Sequence, residues 1–575
     1  MIVGALTWIA FTCLLMQLTW DIGISWPSLN NQLSYLYDAV IDTLFYQSNQ
    51  KLINYWRYIE SSELALQLTL HCALPAILAI YPAYILGRMF YISGGRDRLI
   101  HISGPLLRYY SSAFKHARKI GKKECGKSHR AGLFLHPKLS ISRVRESGNI
   151  FVCGAQGSGK TVFITPLIDQ VIQRGERAFI YDEKREFTAL FYHPGSTLLI
   201  APWDTRSAAW DIQADASNAV QAQLIAEHLI HDSDDPLWAN GARSIFAGMI
   251  EVLNHSKETW GWQDLAHMLT TDESTLHKLL SQHYPRAARF IAEESKTTQS
   301  FFAQLNGSLG WIFTLAEAWP DANKATFSIY HWARNSKETK SVVIVQADKR
   351  YKDIGAPLAN AMIALMTSSI LSQANSLSRE LWLFIDELAN LPRNDSLQQW
   401  MALGRSKGCR LVAGTQSISQ LKKIYSEHGA DNLMNMFTIF GAMRLGAVGE
   451  TATQAAKSFG EREVERPTSS AGPKERPAQN WHRETLPLVT ASDLVHLPQP
   501  NSKGVEGYLL IPGYQSVYRL KWPYPRLSAN SEEHLPARWL AQSSSKKSDG
   551  KARPSSRLKQ LQSRRAKYAV DERNS

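Results

Sequence analysis

Cysteine is scarce in this 575-residue chain, which contains five cysteines and no Cys-x-x-Cys pair. So few cysteines, in odd number, exclude a small secreted fold held together by disulfides, and the missing pair excludes a zinc site built on cysteines. Cys13 and Cys72 both lie inside apolar runs. The cysteine content therefore indicates that the working part of the protein occupies a reducing compartment.

Acidic residues are scarce in two zones of the chain. Residues 88–146 contain 14 Lys and Arg against 3 Asp and Glu, and residues 541–575 contain 10 against 3. The rest of the sequence holds 40 basic and 45 acidic residues, so the formal net charge of +13 is concentrated in those two zones. Concentrated positive charge suits anionic lipid or nucleic acid.

Two long runs, residues 2–20 and residues 64–86, contain no Lys, Arg, Asp or Glu. A helix of about 19 residues spans roughly 28 Å, close to the thickness of the hydrocarbon core, so both runs are predicted to cross a membrane. The alternative for the first run is a cleaved signal peptide. That alternative requires a basic start and a small-residue cleavage site, and this run has neither.

Basic residues predict the orientation of the two spans. The loop at 21–63 contains only Lys51 and Arg57, whereas several arginines follow the second span closely. By the positive-inside rule, this loop lies outside and both chain termini lie in the cytoplasm. We therefore expect a protein with two spans in an inner or plasma membrane.

A phosphate-binding loop follows a short apolar segment. Residues 150–153 (IFVC) are typical of a buried strand, and a helical pattern begins after Thr161. Between them lies the G-x-x-x-x-G-K-[ST] motif in the strand–loop–helix context that it requires. The predicted nucleotide-binding residues are Gly154, Ala155, Gln156, Gly157, Ser158, Gly159, Lys160 and Thr161.

The chemistry of phosphate binding explains these residue types. Glycines let backbone N–H groups surround the phosphates, and the helix N-terminus adds partial positive charge. Lys160 can reach the β- and γ-phosphates, and the Thr161 hydroxyl can bind Mg²⁺. A chance match occurs in roughly a few per cent of chains of this length. We therefore predict ATP and Mg²⁺ as cofactors.

Two acids are the expected catalytic partners of this loop. Residues 381–387 (LWLFIDE) form an apolar strand that ends in Asp386 and Glu387. Asp386 is predicted to bind Mg²⁺ through its water shell, and Glu387 to polarise the attacking water. The alternative is a buried strand whose last residues cap a turn. A third strand, 410–414, precedes Gln416, a polar residue placed to sense the γ-phosphate.

Short apolar runs alternate with helical patterns, which predicts an α/β fold with a parallel sheet buried on both faces. The ligand is expected at the carboxyl ends of the strands, where Lys160, Asp182, Asp386 and Gln416 all fall. The further predicted strands are residues 178–181, 197–200, 342–345 and 436–440.

A helical domain is predicted inside this α/β domain, because Lys160 and Asp386 are 226 residues apart and strand signals vanish between about 215 and 330. Helical spacing occurs at residues 218–230, 237–254 and 299–319. The predicted organisation is a first transmembrane helix (1–20), a small periplasmic loop (21–63), a second transmembrane helix (64–86), a basic juxtamembrane segment (87–130), a RecA-like P-loop nucleotide-binding domain in two parts (131–214 and 331–540), an inserted all-α domain (215–330) and a basic tail (541–575).

Five motifs occur in a specific order: GAQGSGKT at 154–161, YDEKREF at 181–187, PWDTRSAAWDI at 202–212, LFIDEL at 383–388 and GRSKGCRLVAGTQS at 404–417. Together with the two spans, their spacing resembles the type IV coupling proteins of the TraD, TraG and TrwB kind, which are membrane-anchored ATPases of bacterial conjugation and type IV secretion. The resemblance covers nearly the whole chain. One departure is visible, since relatives usually have Asp-Pro-Lys-Gly-Glu where residues 182–186 read DEKRE, so Arg185 replaces a glycine.

The resemblance implies six subunits around a central channel, a homo-hexamer that pumps DNA while hydrolysing ATP at subunit interfaces. Arg405 matches the family's arginine-finger position, from which a neighbouring subunit would neutralise the γ-phosphate, and Arg444 is a second candidate. The alternative for each is a solvated or capping arginine. The implied partners are DNA, relaxase and other relaxosome proteins, components of the type IV secretion channel and inner-membrane lipid.

The basic zones leave alternatives open. Residues 108–130 place eight cations beneath the membrane, where anionic lipid attracts each by about 1 kcal/mol, so lipid contact and interface packing are favoured. The tail at 541–575 is predicted to be disordered and to contact DNA phosphates or a relaxase or accessory protein. No base-reading module is present, so DNA binding is expected to be independent of sequence.

Residues 461–485 are predicted to form a surface loop.

Three functions compete at this point. The leading one is a DNA-pumping ATPase that couples the relaxosome to a secretion channel. The second is a receptor for protein effectors, with ATP used for assembly. The third is a chromosome-segregation translocase of the FtsK kind, but such chains usually have more spans, a long linker and a C-terminal winged-helix domain.

Overall fold

The computed structural model describes residues 2–19, 29–45, 49–89, 99–125, 131–230, 232–233, 235–292, 295–320, 327–334, 340–470 and 478–540. Contacts divide the chain into two compact units, which are residues 1–99 with 466–480, and residues 100–465 with 481–575. The predicted disorder of the tail at 541–575 falls outside the described residues.

Helices form the described part of residues 1–99. They are α1 (Ile2–Thr19), α2 (Leu29–Phe45), α3 (Gln50–Ser61) and α4 (Ala65–Met89). α1 packs along α4, and the Trp8 indole donates a hydrogen bond to the Ala76 carbonyl at 2.8 Å. α4 includes 22 residues apolar and long enough to cross a membrane, and most of them are exposed. α1 and α4 thus coincide with the predicted spans.

The strands of the described residues are β1 (Ile100–Ser103), β2 (Leu106–Tyr109), β3 (Ala131–His136), β4 (Leu139–Ser142), β5 (Asn149–Cys153), β6 (Arg177–Asp182), β7 (Thr197–Ile200), β8 (Val342–Gln346), β9 (Leu381–Ile385), β10 (Cys409–Thr415), β11 (Phe437–Met443), β12 (Glu461–Ser470), β13 (Ala478–Pro487), β14 (Val505–Leu510) and β15 (Ser516–Trp522). Ten of them form one sheet in the order β2-β15-β14-β11-β5-β10-β9-β6-β8-β7. From β11 to β7 every pair of neighbours is parallel, whereas β14 pairs antiparallel with both β11 and β15.

The parallel strands are apolar without alternation because both faces of the sheet are covered. Every residue of β5, β8 and β9 is buried. Such continuous runs are typical of a parallel sheet between two layers of helices. The predicted strands are present with ends displaced by at most three residues, and the prediction of an α/β fold is confirmed.

In the second unit, ten described helices lie before β7 or after β8 and pack around the strands. They are α5 (Tyr110–Cys125), α6 (Arg143–Glu146), α7 (Lys160–Gln173), α8 (Glu186–Phe191), α18 (Lys352–Leu371), α19 (Asp395–Leu403), α20 (Ile418–Tyr425), α21 (Glu427–Asn435), α22 (Thr451–Ser458) and α23 (Ala491–Val495). α18 is as apolar as a membrane span, but nearly nine-tenths of its apolar stretch is buried, so it is a core helix.

The prediction of a surface loop at 461–485 is wrong. Most of this segment belongs to β12 and β13, two strands of a sheet in the order β1-β12-β13. β1 pairs antiparallel with β12, with His101 opposite Val464, and Val464 is fully buried. The partner strand lies about 360 residues earlier in the chain, so local periodicity carries no trace of the pairing. Residues 471–477 are outside the described residues.

One face of the basic helix α5 packs against the strands β4 and β15. Ala113 and Ala117 on this face are buried. His116 Nδ1 lies 3.0 Å from the Tyr518 hydroxyl of β15. The described part of the 108–130 zone therefore has a packing role as well as an exposed cationic face.

The segment between β7 and β8 is helical throughout its described elements. These are α9 (Ile212–Asp215), α10 (Ala219–Leu229), α11 (Pro236–Ser256), α12 (Trp262–Leu269), α13 (Glu273–His283), α14 (Pro285–Ala288), α15 (Lys296–Leu309), α16 (Ile312–Ala318) and α17 (Ile329–Ala333). The helical pattern at 299–319 is two helices, because α15 ends before Gly310 and α16 begins after Trp311.

A buried carboxylate joins the two ends of this helical segment. Asp215 is fully buried, and its Oδ2 accepts hydrogen bonds from the Trp210 indole at 2.6 Å and the Ile329 amide at 2.9 Å. Its Oδ1 accepts from the Ser328 hydroxyl and from the Tyr330 amide. Because Trp210 precedes α9, the first helix of the segment, and residues 328–330 lie near its end, one side chain joins the start and the end of the insertion.

Replacement of Asp215 by alanine is expected to lower the thermal unfolding midpoint of the detergent-solubilised protein by several degrees. The change leaves several buried donors without an acceptor, at a cost of about 1–3 kcal/mol each. Asp272 is the control, since it caps α13 from an exposed position. If Asp215→Ala and Asp272→Ala lower the unfolding midpoint equally, the buried hydrogen bonds of Asp215 contribute no more stability than an exposed helix cap.

Candidate nucleotide-binding site

The phosphate loop connects β5 to α7 through glycines that its shape requires. Gly157 and Gly159 have φ of +69° and +99°, in the left-handed region that favours glycine. A Cβ at Gly154 would collide with the Ser158 hydroxyl, and one at Gly159 would collide with Val505 of β14. The loop therefore requires glycine for two reasons: the backbone is left-handed at Gly157 and Gly159, and neighbouring atoms leave no space for a side chain at Gly154 and Gly159.

Backbone hydrogen bonds fix this loop between the ends of the two strands that flank β5. The Gly154 amide donates to the Thr415 carbonyl at 3.1 Å, at the end of β10. The Ala155 amide donates to the Arg444 carbonyl at 2.9 Å, directly after β11. The loop thus lies at the carboxyl edge of the parallel sheet, as predicted for the ligand site.

Lys160, the first residue of α7, points into the site. Its side chain is 5% exposed, and its Nζ donates to the Gly154 carbonyl at 2.9 Å. The same Nζ lies 3.7 Å from Glu387 Oε2. Burial lowers the pKa of Lys160, although the carboxylates of Glu387 and Asp386 oppose that shift. Two residues 227 positions apart thus meet directly.

The two acids that follow β9 are held close to β10. A Cβ at Gly414 would collide with the Asp386 carbonyl, so glycine permits the approach of the two segments. Glu387 Oε1 accepts hydrogen bonds from the Thr415 hydroxyl at 2.9 Å and the Gln416 amide at 3.0 Å. Burial raises the pKa of Glu387.

Several buried oxygens of the site have no hydrogen-bond partner within the described structure. They are Asp386 Oδ1, Glu387 Oε2 and the Ser158 hydroxyl. Buried polar atoms are nearly always satisfied in proteins, so these atoms are suited to a ligand or its water shell. No group of three or more His, Cys, Asp and Glu converges as a metal site in the described residues. A cation at Asp386 would therefore need hydroxyl, water or phosphate oxygens as further ligands.

The turn after β6 brings a further charge to the site. Asp182 Oδ2 accepts from the Thr188 amide at 2.7 Å and the Thr188 hydroxyl at 2.8 Å, which positions α8, and burial raises the pKa of Asp182 to about 6. Lys184 Nζ lies 3.3 Å from Asp386 Oδ2. Partial burial opposes the charge of Lys184, but the Asp386 and Glu186 carboxylates raise its pKa. No role for Lys184 was predicted from the sequence.

The fold places Arg405 away from this group of residues. Arg405 lies in a short 3-10 turn before β10, whereas Gln416 follows β10, and seven strand residues span about 23 Å. The exposed Arg405 donates to the Ser147 hydroxyl at 3.2 Å and lines a cavity of about 710 Å³ with Arg143 and other residues. Arg405 therefore does not reach the phosphate loop of its own chain. Arg444, by contrast, adjoins the phosphate loop of its own chain.

Substitution of Gly414 by alanine is expected to lower both the thermal unfolding midpoint and the affinity for a fluorescent ADP analogue. The added Cβ separates β10 from the loop that carries Asp386 and Glu387. Gly441→Ala is the control, since a Cβ in that β11 position makes only ordinary contacts of 3.6 Å or more. An affinity loss in Gly441→Ala as large as in Gly414→Ala would contradict the steric explanation.

Comparisons with known proteins identify the family. The family model described as type IV secretion-system coupling protein DNA-binding domain matches residues 133–523. The coupling protein TraD of Escherichia coli K12 is 26% identical over 408 residues, which cover 69% of this chain and 56% of TraD. The chain thus spans little more than half the length of that relative.

Solved structures agree in fold. The conjugative coupling protein TrwBdeltaN70 in its unbound form has a TM-score of 0.64 and 21% identity, over 77% of this chain and 98% of that one. Plasmid coupling protein TrwB in complex with ADP and Mg²⁺ has a TM-score of 0.63 and 22% identity, over 77% and 99%. These structures establish the predicted fold class, a RecA-like α/β domain with an inserted all-α domain. With the family model matching two-thirds of its length, the chain belongs to the type IV secretion-system coupling proteins.

Proposed function

We propose that this protein is a P-loop ATPase that uses ATP and Mg²⁺ to move DNA, and that it couples the relaxosome to a type IV secretion channel in bacterial conjugation. The observation that carries the proposal is the 3.7 Å approach of Lys160 Nζ to Glu387 Oε2. It joins a phosphate-binding lysine to a candidate general base within the fold of the coupling-protein family. TrwB structures with ADP and Mg²⁺ and with ADPNP support the choice of cofactors.

The residues of the site divide the work. Amides of the loop at 154–161 bind the phosphates, and Lys160 binds the β- and γ-phosphates. Thr161 and Asp386 would hold Mg²⁺, Asp386 through water, and the unpartnered Asp386 Oδ1 fits that role. When bound, the metal neutralises phosphate charge during the reaction.

Glu387 orients and polarises the attacking water. Its Oε1 is fixed by Thr415 and by the Gln416 amide, which leaves Oε2 directed toward Lys160. A carboxylate held by one oxygen keeps the other oriented for water activation. Gln416 is placed after β10, where its side chain can sense the γ-phosphate.

The chain is proposed to work as a homo-hexamer around a DNA channel. Arg405 lies on the opposite edge of the sheet from its own phosphate loop, which suits a group that completes the site of a neighbouring subunit. DNA is proposed to be bound without sequence preference, through contacts of cationic side chains, such as those of the basic tail, with its phosphates. Relaxase, relaxosome proteins and channel components are the expected protein partners.

The apolar helices α1 and α4 are proposed to anchor the protein in the bacterial inner membrane. Both chain termini then lie in the cytoplasm, with the residues between the spans in the periplasm. The basic residues at 108–130 are proposed to contact anionic lipid headgroups.

Two substitutions test the catalytic assignment. Lys160→Ala is expected to abolish ATP hydrolysis, and Glu387→Gln to reduce the turnover number by at least about 100-fold while nucleotide binding persists. Phosphate release by full-length protein in detergent measures the rates, and a fluorescent ADP analogue measures binding. Lys422→Ala is the control, because Lys422 pairs with Glu427 on the surface. Hydrolysis at the wild-type rate in Lys160→Ala would remove the assignment.

DNA is expected to stimulate the ATPase of the full-length protein. Two duplexes of unrelated sequence should stimulate equally, and the DNA concentration for half-maximal stimulation should rise at least tenfold between 50 and 200 mM salt. Active ATPase without DNA stimulation would favour a receptor for protein effectors.

Deletion of the gene should abolish transfer of the mobile element and leave chromosome segregation normal. A segregation defect would favour an FtsK-like role.

A further inference from the structure

Lys184 reaches the metal-binding carboxylate from a neighbouring strand. β6 and β9 are adjacent and parallel, with Tyr181 opposite Ile385, so the residues that follow them meet at one edge of the sheet. Lys184 Nζ lies 3.3 Å from Asp386 Oδ2, within ion-pair distance. The lysine side chain is partly exposed, whereas the carboxylate is 4% exposed.

This pair is the main compensation for a buried charge. Asp386 Oδ1 has no hydrogen-bond partner in the described structure, so the Asp386 carboxylate depends on Lys184 for its ionic contact. A buried carboxylate is costly unless it is paired or bound to a metal. Lys184 contacts Oδ2, and the water shell of a metal would contact the unpartnered Oδ1, so the two cations would share one carboxylate and repel each other.

The backbone of the turn that carries Lys184 is fixed to a neighbouring segment. Arg185 has φ of +65°, a left-handed conformation that favours the glycine usual in relatives. Its guanidinium forms an ion pair with Asp348, which follows β8. Arg185 therefore ties the turn to the next strand of the sheet, at the position where this chain departs from the family pattern.

We propose that Lys184 and a divalent cation compete for Asp386. An ammonium group and a divalent cation that share one buried carboxylate repel each other strongly. The lysine must therefore move away when the metal enters. The inference rests on the proposed ATP and Mg²⁺ site and adds a residue that controls its occupancy.

The competition links metal binding to nucleotide binding. Without phosphates, the metal must displace Lys184 from its ion pair with Asp386 and no new negative charge enters the site, so metal alone binds weakly. The phosphates of a nucleotide supply negative charge that accommodates both the metal and the displaced lysine. Lys184 thus ensures that the cation enters the site together with the nucleotide.

Mn²⁺ binding to the full-length protein, measured by electron paramagnetic resonance without nucleotide, tests this inference. Lys184→Met removes the charge and keeps the length of the side chain, so it is expected to tighten Mn²⁺ binding at least tenfold. Lys423→Met, at an exposed position of α20, is the control and should bind as the wild type does. Unchanged or weaker binding in Lys184→Met would overturn the competition.

A second substitution separates this inference from the proposed function. Asp386→Asn should abolish the tight Mn²⁺ binding of Lys184→Met. If Mn²⁺ binds equally well with and without Asp386, the proposed metal site fails and the competition fails with it. If Asp386→Asn weakens metal binding but Lys184→Met leaves it unchanged, the metal site stands and the competition alone is wrong. Binding of a fluorescent ADP analogue confirms that each variant is folded.

Discussion

The pairing of β10 with β5 on one side and β9 on the other is the constraint on which the site depends. In parallel register, Ala413 lies opposite both Phe151 and Ile385, so the phosphate loop and the acid pair emerge at the same height of the sheet. Gly414 then lets the loop after β9 approach β10 closely. Residues more than 220 positions apart thereby come within ion-pair distance, and the charges of Lys160 and Glu387 partly compensate one another in a buried place.

Charge compensation extends across the carboxyl edge. Lys160 faces Glu387, Lys184 faces Asp386 and Arg185 faces Asp348, so three buried acids are each matched by a cation from another segment. Replacing one of these cations by a charge of the ligand alters the electrostatic stabilisation of its acid. The proposed function and the proposed competition both use such an exchange, in which incoming phosphates and metal substitute for protein partners.

The sequence predicted features that a local pattern marks, and it missed features that depend on remote partners or that a continuous periodicity hides. The phosphate loop was found because glycine spacing and the adjacent strand and helix lie within about 25 residues. The acid pair was found because an apolar strand ends in Asp386 and Glu387. Lys184 was missed because its importance depends on which strand neighbours β6, and β12 because its partner β1 is remote. Gly310 and Trp311 divide two helices whose shared periodicity hides the break.

The Asp215 carboxylate brings the two ends of the helical insertion together. Trp210, before α9, lies opposite Phe327 near the end of the insertion, and residues from both ends donate hydrogen bonds to Asp215. β7 and β8 are parallel neighbours in the sheet although the whole insertion lies between them in the chain. The insertion also packs on the rest of the unit, where α10 contacts α18, so a chimera that exchanges it among coupling proteins must keep both the Asp215 junction and the face of α10 that meets α18.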